Sequence, residues 1–324
     1  MNTRDKVLLL LEGKRGKSVS GAQIARQLGL TRSSVWKAVK ELEKDGYRVD
    51  SAPGKGYTLL EENDILSLPG ILPYLDDKGL ADRIEVHACL PSTNTTAKQI
   101  AISGGGHGAA VIAAAQSAGT GRFGREFASP PGGLYLSIVL RPEKLWFEHE
   151  LITLYSAVCV CQAFEQVGVE PKIKWVNDLF LDGKKVCGIS TEAVSDLESG
   201  TVGWIVIGIG INLTTPPESF PPHLDGKAGS VFPEGKSAIS ASRLAGELIN
   251  RLVTPKQKIP SQEIPLEYKR RMFMLGRQVL VSGGRESYTA AALDIDQKGR
   301  LIVMDAAGQT HTLFTGEVSI LPIP

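Results

Sequence analysis

The sequence predicts an α+β protein of three parts: a helical module ending in a β-hairpin, a central mixed sheet covered by helices, and a small carboxy-terminal β-barrel. Three observations lead there. Helix-period runs fill the first forty-five residues, helical and β-rich runs alternate through the middle, and the last fifty residues are short β-like segments between glycine-containing turns. At 324 residues the chain is too long for one hydrophobic core. With 42% hydrophobic and 22% charged residues, it has the composition of a folded protein and not of a disordered one.

Thr3 to Glu12 carries a short helix pattern. Ser20 to Leu28 gives a second, with Ile24 and Leu28 four apart, and Gly29-Leu30 breaks it. Thr31 caps a third, Arg32 to Lys44, in which Val35, Val39 and Leu42 recur at helical spacing before Gly46 supplies a left-handed stop. Two helices joined by a three-residue turn containing Gly form the helix-turn-helix signature. Tyr47 to Asp50 and Tyr57 to Leu59 then flank Pro53-Gly54-Lys55-Gly56, which reads as two strands and a turn, the wing of a winged helix-turn-helix. Arg32, Ser33, Ser34 and Lys37 would face base edges and phosphates, and Lys55 on the wing would reach the backbone. Residues 1 to 60 hold twelve Lys or Arg against six Asp or Glu, so the net charge of +1 splits into +6 here and −5 elsewhere, and only this segment suits a polyanion. Such modules also serve protein contacts, so DNA is one of two partners the pattern admits.

Glu61 to about Ile84, with Pro69 and Pro73, reads as a linker ending in a helix. Between Glu85 and about Met274, helical patterns (Glu148 to Val167, Ser240 to Leu252) are interspersed with β-rich runs (Ala110 to Ala115, Leu134 to Leu140, Trp204 to Ile209). Gln278 to Ser282, Ser287 to Ile295, Leu301 to Met304 and Gln309 to Leu313 form the terminal β segments, separated by Gly-Gly, Asp-Gln-Lys-Gly and Ala-Gly turns. The expected domains are 1–62, a linker 63–84, 85–274 and 275–324. Cys89, Cys159, Cys161 and Cys187 lack paired CxxC spacing and lie mostly in apolar runs, which suits buried thiols in a reducing compartment, and no metal site is expected. No run reaches the roughly 18 apolar residues of a membrane span, and Val7 to Leu11 is too short for a signal-peptide core. A cytoplasmic protein without membrane contact is the expectation.

Three motifs carry chemistry. In Gln116-Ser-Ala-Gly-Thr-Gly-Arg-Phe-Gly-Arg125, Gly119, Gly121 and Gly124 let backbone N–H groups approach an anion, and Arg122 and Arg125 add permanent positive charge. The guest is a phosphate or a carboxylate, or else the stretch is a plain loop. Neither the P-loop nor the dinucleotide fingerprint is present. In Lys172 to Ile189, alternation from Ile173 to Leu181 and the Asp182-Gly183 turn make a hairpin that embeds Lys174, Asn177, Asp178 and Lys185 among apolar residues, and such polar groups must be paired or face a ligand. Gly208-Ile-Gly-Ile-Asn212 ends an apolar strand with small residues, where either a ligand or tight packing meets the backbone.

Taken in order, Ser92-Thr93-Asn94, the loop Gly119 to Gly124, Lys174-Trp-Val-Asn-Asp178 with Lys185 and Gly188, and Gly208 to Asn212 resemble the biotin protein ligases. With the winged helix in front, the resemblance is to the bifunctional members that double as biotin operon repressors, and it covers essentially the whole chain. It implies a central domain like the class II synthetases and an SH3-like terminal barrel. It further implies that biotin and ATP form biotinyl-5'-AMP, with Mg²⁺, and that a lysine of a biotin carboxyl carrier protein accepts the biotin. Operator DNA and a homodimer are the other implied partners.

By similarity, Ser92, Thr93, Asn94 and Gln116 hold the biotin end, while Thr120, Gly121 and Arg122 fold over biotin and adenylate. Lys185 is the cation beside the reacting carboxylate and α-phosphate, and Asp178 either orients the incoming lysine or helps hold Mg²⁺. Gly119, Arg125, Asn177 and Asn212 are nucleotide contacts, with Phe127 stacking on adenine where the family usually has Trp. Thr120 and Phe123 replace two of the loop's usual arginines, and Val176 replaces a common Pro. Three other readings stay open: a ligase whose winged helix no longer regulates, a nonenzymatic sensor of biotin or lipoate, and a lipoate ligase.

Overall fold

A computed structural model describes residues 1–52, 54–195, 202–282, 287–314 and 317–320. Pro53 of the expected wing turn and the Gly-Gly turn after Ser282 lie outside them.

The first domain is built as its pattern requires. Helices α1 (Thr3–Glu12), α2 (Gly21–Leu28) and α3 (Arg32–Lys44) are capped by Asn2, Ser20 and Thr31, and Ser20 forms a reciprocal capping box with Gln23. Val7, Leu11, Ile24, Val35, Val39, Leu42 and Leu59 close a separate core. Strands β1 (Val49–Ala52) and β2 (Gly56–Leu59) pair antiparallel. β1 begins two residues later than the sequence suggests because Tyr47 is turned inward and buried in that core.

The stretch after the wing is packed rather than loose. Helix α4 (Leu68–Ile71) and the 3-10 turns that follow put Ile71, Leu72, Leu75 and Leu80 into the central core. Arg15, ion-paired with Glu12, reaches the carbonyls of Glu61 and Asn63. Asp64 accepts the backbone N–H of Ala241 at 2.7 Å, so this segment ties the first domain to the central one.

The central domain runs β3 (Ile84–His87), α5 (Thr93–Ile102), β4 (Ala110–Ala113), β5 (Gly133–Leu140), α6 (Ile152–Glu165), β6 (Lys172–Lys174), β7 (Asp178–Leu181), β8 (Lys184–Ser195), β9 (Val202–Asn212), α7 (Ala241–Val253) and α8 (Ile264–Arg271). Its seven strands lie in the order β3-β4-β5-β9-β8-β7-β6, and among the described residues β3 and β4 are the one parallel strand pair. Both faces are covered, and the middle strands therefore read as continuous apolar runs. Alternation sorts them: Leu134, Leu136, Ile138 and Leu140 pack in the core under α6 and α7, whereas Val139, Val111 and Val206 pack under Ala97 and Ala101 of α5.

The single strand expected from Ile173 to Leu181 is broken. Trp175, Val176 and Asn177 form a turn, with a cis Trp175–Val176 peptide, that folds β6 antiparallel onto β7 and pairs Lys174 with Asp178. The unit is a three-strand meander, and Val176 stands in its turn rather than in a strand. Apolar alternation cannot distinguish one long strand from two short ones that share a face.

The last five strands, β10 (Gln278–Ser282), β11 (Tyr288–Ile295), β12 (Leu301–Asp305), β13 (Thr310–Leu313) and β14 (Glu317–Ile320), form an antiparallel sheet ordered β13-β12-β11-β10-β14. Among the described residues no ladder joins β13 to β14 to close it as a barrel.

Candidate active site

A trough on the α5 face of the sheet is the centre of the site. In the paired strands Tyr135, Gly210, Gly188 and Asp178 lie in one cross-strand row, and Ser137, Gly208 and Ser190 in the next. Three glycines on one face leave a channel where side chains would stand. The alternating Ile189, Ile207, Ile209 and Ile211 point to the opposite core. A Cβ on Gly208 would come within 2.1 Å of the Asn94 side chain, and one on Gly210 within 2.4 Å of the Phe127 ring.

One end of the trough is lined by polar side chains held in place by one another. Ser92 caps α5, and the Thr93 N–H and hydroxyl both donate to Gln116 Oε1, at 2.7 and 3.1 Å. Asn94, buried, donates to Ser190 Oγ at 2.8 Å and accepts from Ser137 Oγ at 2.6 Å. Gln116 in turn donates to Ser129 Oγ. Preorganised donors and acceptors of this kind suit a compact polar ring. Ser129, Ser137 and Ser190 were absent from the sequence reading. Their signal was one hydroxyl in each of three apolar or proline-rich runs.

The other end is cationic. A bulge between Leu179 and Phe180 sets Lys185 opposite Phe180, with Val186 as the extra residue. Without it, strict alternation would aim Lys185 at the core; the bulge puts it on the trough side. The Lys185 ammonium lies 2.6 Å from Asp178 Oδ1, a charge contact without the alignment of a good hydrogen bond, and 5.7 Å from the Phe127 ring centre. Its backbone is pinned by the 227–229 loop, through Lys185 N–H to Lys227 O and Gly229 N–H to Lys185 O. Asn212 Nδ2 donates to Gly229 O, while its Oδ1 is buried without a partner. No sequence motif flagged this loop.

Between the ends, residues 119–127 form a flap. Gly121 N–H bonds Arg125 O at 2.7 Å, Phe127 N–H bonds Gly119 O at 2.8 Å, and Arg122 to Gly124 make the tip. Of the three glycines expected to offer backbone N–H groups to an anion, Gly121 uses its N–H as a hairpin rung, and the flap also brings side chains to the trough. Arg122 donates to Asn177 Oδ1 at 3.2 Å; burial lowers its pKa while Asp178 opposes that shift. Phe127 lies across Gly188 and Gly210 and fills the trough to a residual cavity of about 60 Å³. Small-molecule sites span roughly 300–1,000 Å³, so a ligand must displace this ring.

Ser92, Thr93, Asn94, Gln116, Thr120, Gly121, Arg122, Phe127, Asn177 and Lys185 thus meet around one cavity. Gly119 lies beside it, close against Ser129, Phe127 and Gln116, and Arg125 is exposed on the flap. Lys174, half-buried beyond Asp178 in the same row, has its pKa lowered by burial, with Asp178 opposing and Lys185 adding to the shift. On the first domain, Arg32, Ser33, Lys37 and Lys55 are exposed, and Ser34 is partly so.

The central domain thus presents a polar pocket and a lysine–arginine pair to one trough, behind a helix-turn-helix domain, an arrangement suited to an anionic small-molecule substrate. Residues 3–58 match the HTH domain family, 86–212 the Biotin/lipoate A/B protein ligase family, and 274–321 the Biotin protein ligase C terminal domain. The bifunctional ligase/repressor BirA of Bacillus subtilis is 36% identical over 77% of this chain and 74% of its own length. BirA of Salmonella typhimurium is 28% identical over 94% of each. A biotin protein ligase from Aquifex aeolicus, solved with biotin and ATP, shares the fold, with a TM-score of 0.61 at 23% identity over 74% of this chain and 98% of that one. The chain belongs to the biotin protein ligase family.

Proposed function

We propose that this protein joins biotin to ATP, transfers the biotinyl group to a lysine of a carrier protein, and represses transcription through its first domain. The observation that carries the catalytic reading is the convergence of Lys185 and Arg122 on one end of a glycine trough whose other end is a fixed polar cluster. The ureido ring of biotin fits the Ser92, Thr93, Asn94 and Gln116 end, and its carboxylate then lies toward Lys185. Attack of that carboxylate on the ATP α-phosphate expels pyrophosphate and gives the mixed anhydride. Lys185 neutralises the charge shared by carboxylate and phosphate as it builds, in a site from which the flap excludes water. Asn177 and Asn212 serve the nucleotide, with Phe127 moving from the trough to pack on it, and Gly119 and Arg125 support the flap.

Asp178, next to Lys185, suits the acceptor lysine, whose amine must lose a proton before it attacks the anhydride and releases AMP. Mg²⁺ enters as the counter-ion of the ATP phosphates. Among the described residues no helix is long and apolar enough to cross a membrane. The carrier protein and the operator, as the proposed partners, place the protein in the cytoplasm with them.

Incubation with biotin, ATP, Mg²⁺ and a biotin carboxyl carrier domain is expected to raise the intact mass of that domain by one biotinyl group. An unchanged mass would reject the reading. Removal of the flap cation has a distinct signature. Hydrogen bonds to charged groups contribute about 1.5–3 kcal/mol, so Arg122→Ala is expected to release adenylate at least about tenfold faster, seen as biotinylation of bystander lysines. Retention equal to wild type would remove Arg122 from the closure.

For repression, a palindromic operator needs two winged helices on one duplex, and adenylate that stabilises the closed flap and a homodimer is linked to operator binding by the same free energy. Operator affinity is expected to rise at least about fivefold when biotin and ATP are both present, the low end of usual coupling. Ligand-independent affinity would break that linkage.

A further inference from the structure

Trp36 is 52% exposed, although tryptophan buries more apolar surface than any other residue when given the opportunity. It stands on α3, where Val35, Ala38, Val39 and Leu42 already supply the buried stripe. The sequence reading passed over it in favour of its polar neighbours. In the structure Arg32, Trp36 and Lys40 recur every four residues and form one wall of an open groove of about 540 Å³. The opposite wall is the wing, at Ser51, Gly54 and Tyr57. Ser33 and Lys37 lie on the neighbouring stripe of the helix and are exposed. An α3 seated in a major groove by Ser33 and Lys37 therefore directs Trp36 sideways, toward the strand of duplex that passes between the helix and the wing.

We infer that Trp36 is a DNA contact, packing its indole on sugar rings or thymine methyl groups where the duplex crosses that groove. This rests on the reading of the first domain as a DNA-binding module. The cations choose the occupant: Arg32 and Lys40 line the groove with the indole, Lys55 is exposed on the wing between the groove residues Gly54 and Gly56, and this segment carries the chain's excess positive charge. An apolar ring framed by cations matches the surface of a duplex, where phosphates frame sugars and base edges. Tyr57, at the base of the wing, adds a second aromatic side chain to the groove.

The mechanism has a measurable signature, because an indole displaces no counterion from DNA. The probe is a labelled duplex selected by the wild-type protein from a random-sequence pool, titrated at several salt concentrations in the presence of biotin and ATP. Trp36→Ala is expected to lower affinity by about tenfold, the loss of one good contact, while leaving the slope of log affinity against log salt unchanged. Arg32→Ala and Lys37→Ala are expected to reduce that slope by about one each. Trp36→Phe should recover part of the loss. Because the side chain is exposed, its truncation leaves no cavity, and a wild-type thermal unfolding profile of the first domain by circular dichroism verifies its fold.

Wild-type affinity in Trp36→Ala overturns the assignment. So does loss of DNA binding accompanied by loss of self-association in sedimentation, which would place Trp36 between two copies of the chain. If the wild-type protein selects no duplex at all, it is the DNA-binding reading of the domain that fails.

Discussion

Lys185→Ala is expected to lower the rate of biotinyl-adenylate formation by about 10²- to 10³-fold with little change in thermal unfolding. The magnitude is that of removing one preorganised electrostatic contact to a developing charge in a site closed to water. The fold should survive for structural reasons. The position is held through its backbone, by Lys227 and Gly229 and by pairing with Phe180, and none of these bonds uses the side chain. The ammonium is about one-third exposed, so its contact with Asp178 contributes little to stability. Asp178 keeps Arg122 and Lys174 as neighbouring positive charges when Lys185 is removed. Lys185→Arg should recover only a fraction of the rate, because a planar fork places its charge differently from a compact ammonium. The measurement is single-turnover pyrophosphate release with biotin and ATP saturating. Unchanged release in Lys185→Ala would remove this cation from the reaction.

How far the site was legible depended on what holds each residue. The first domain is determined locally: Thr31 caps α3 through its own hydroxyl, and Val35, Val39 and Leu42 repeat at the period of the helix they stabilise. Such features lie within a few residues of one another, so pattern alone places them. The trough was half legible. Gly208 and Gly210 announce a close approach to the backbone, but Gly188, Ser137 and Ser190 join them only through the registers of β5, β9 and β8, which are long-range pairings. The bulge at Val186 was invisible, since a single extra residue changes which face a side chain occupies without changing composition. The glycine loop was legible in part: it pairs with itself, so Arg125 O takes up the Gly121 N–H, a rung that the glycine spacing alone does not announce. Trp36 was overlooked because an aromatic residue in a helical pattern reads as core until its face is known.

Gly210→Val tests the trough itself and is expected to raise the KM for biotin by at least about tenfold, with ATP-dependent turnover at saturating biotin affected less. Gly210 has ordinary strand geometry, outside the positive-φ set, and valine is a favourable strand residue, so the backbone accepts the change. The obstacle is space. A Cβ there meets the Phe127 ring at 2.4, 2.8 and 3.2 Å, and Phe127 belongs to the flap, which can move away. A ligand bound in the channel cannot, because Tyr135 and Gly188 flank Gly210 in the same cross-strand row. Filling such a space with methyl groups costs about 1–3 kcal/mol, which is about 5- to 150-fold in binding. Gly208→Ala provides the contrast. Its Cβ would strike Asn94 Oδ1 at 2.1 Å, inside the hydrogen-bonded cluster with Ser137 and Ser190, so that variant should lose stability together with binding. Gly210→Val should retain the wild-type unfolding temperature within a few degrees. Isothermal titration with biotin separates the two variants from wild type, and wild-type affinity in Gly210→Val would mean that biotin does not lie across β8 and β9.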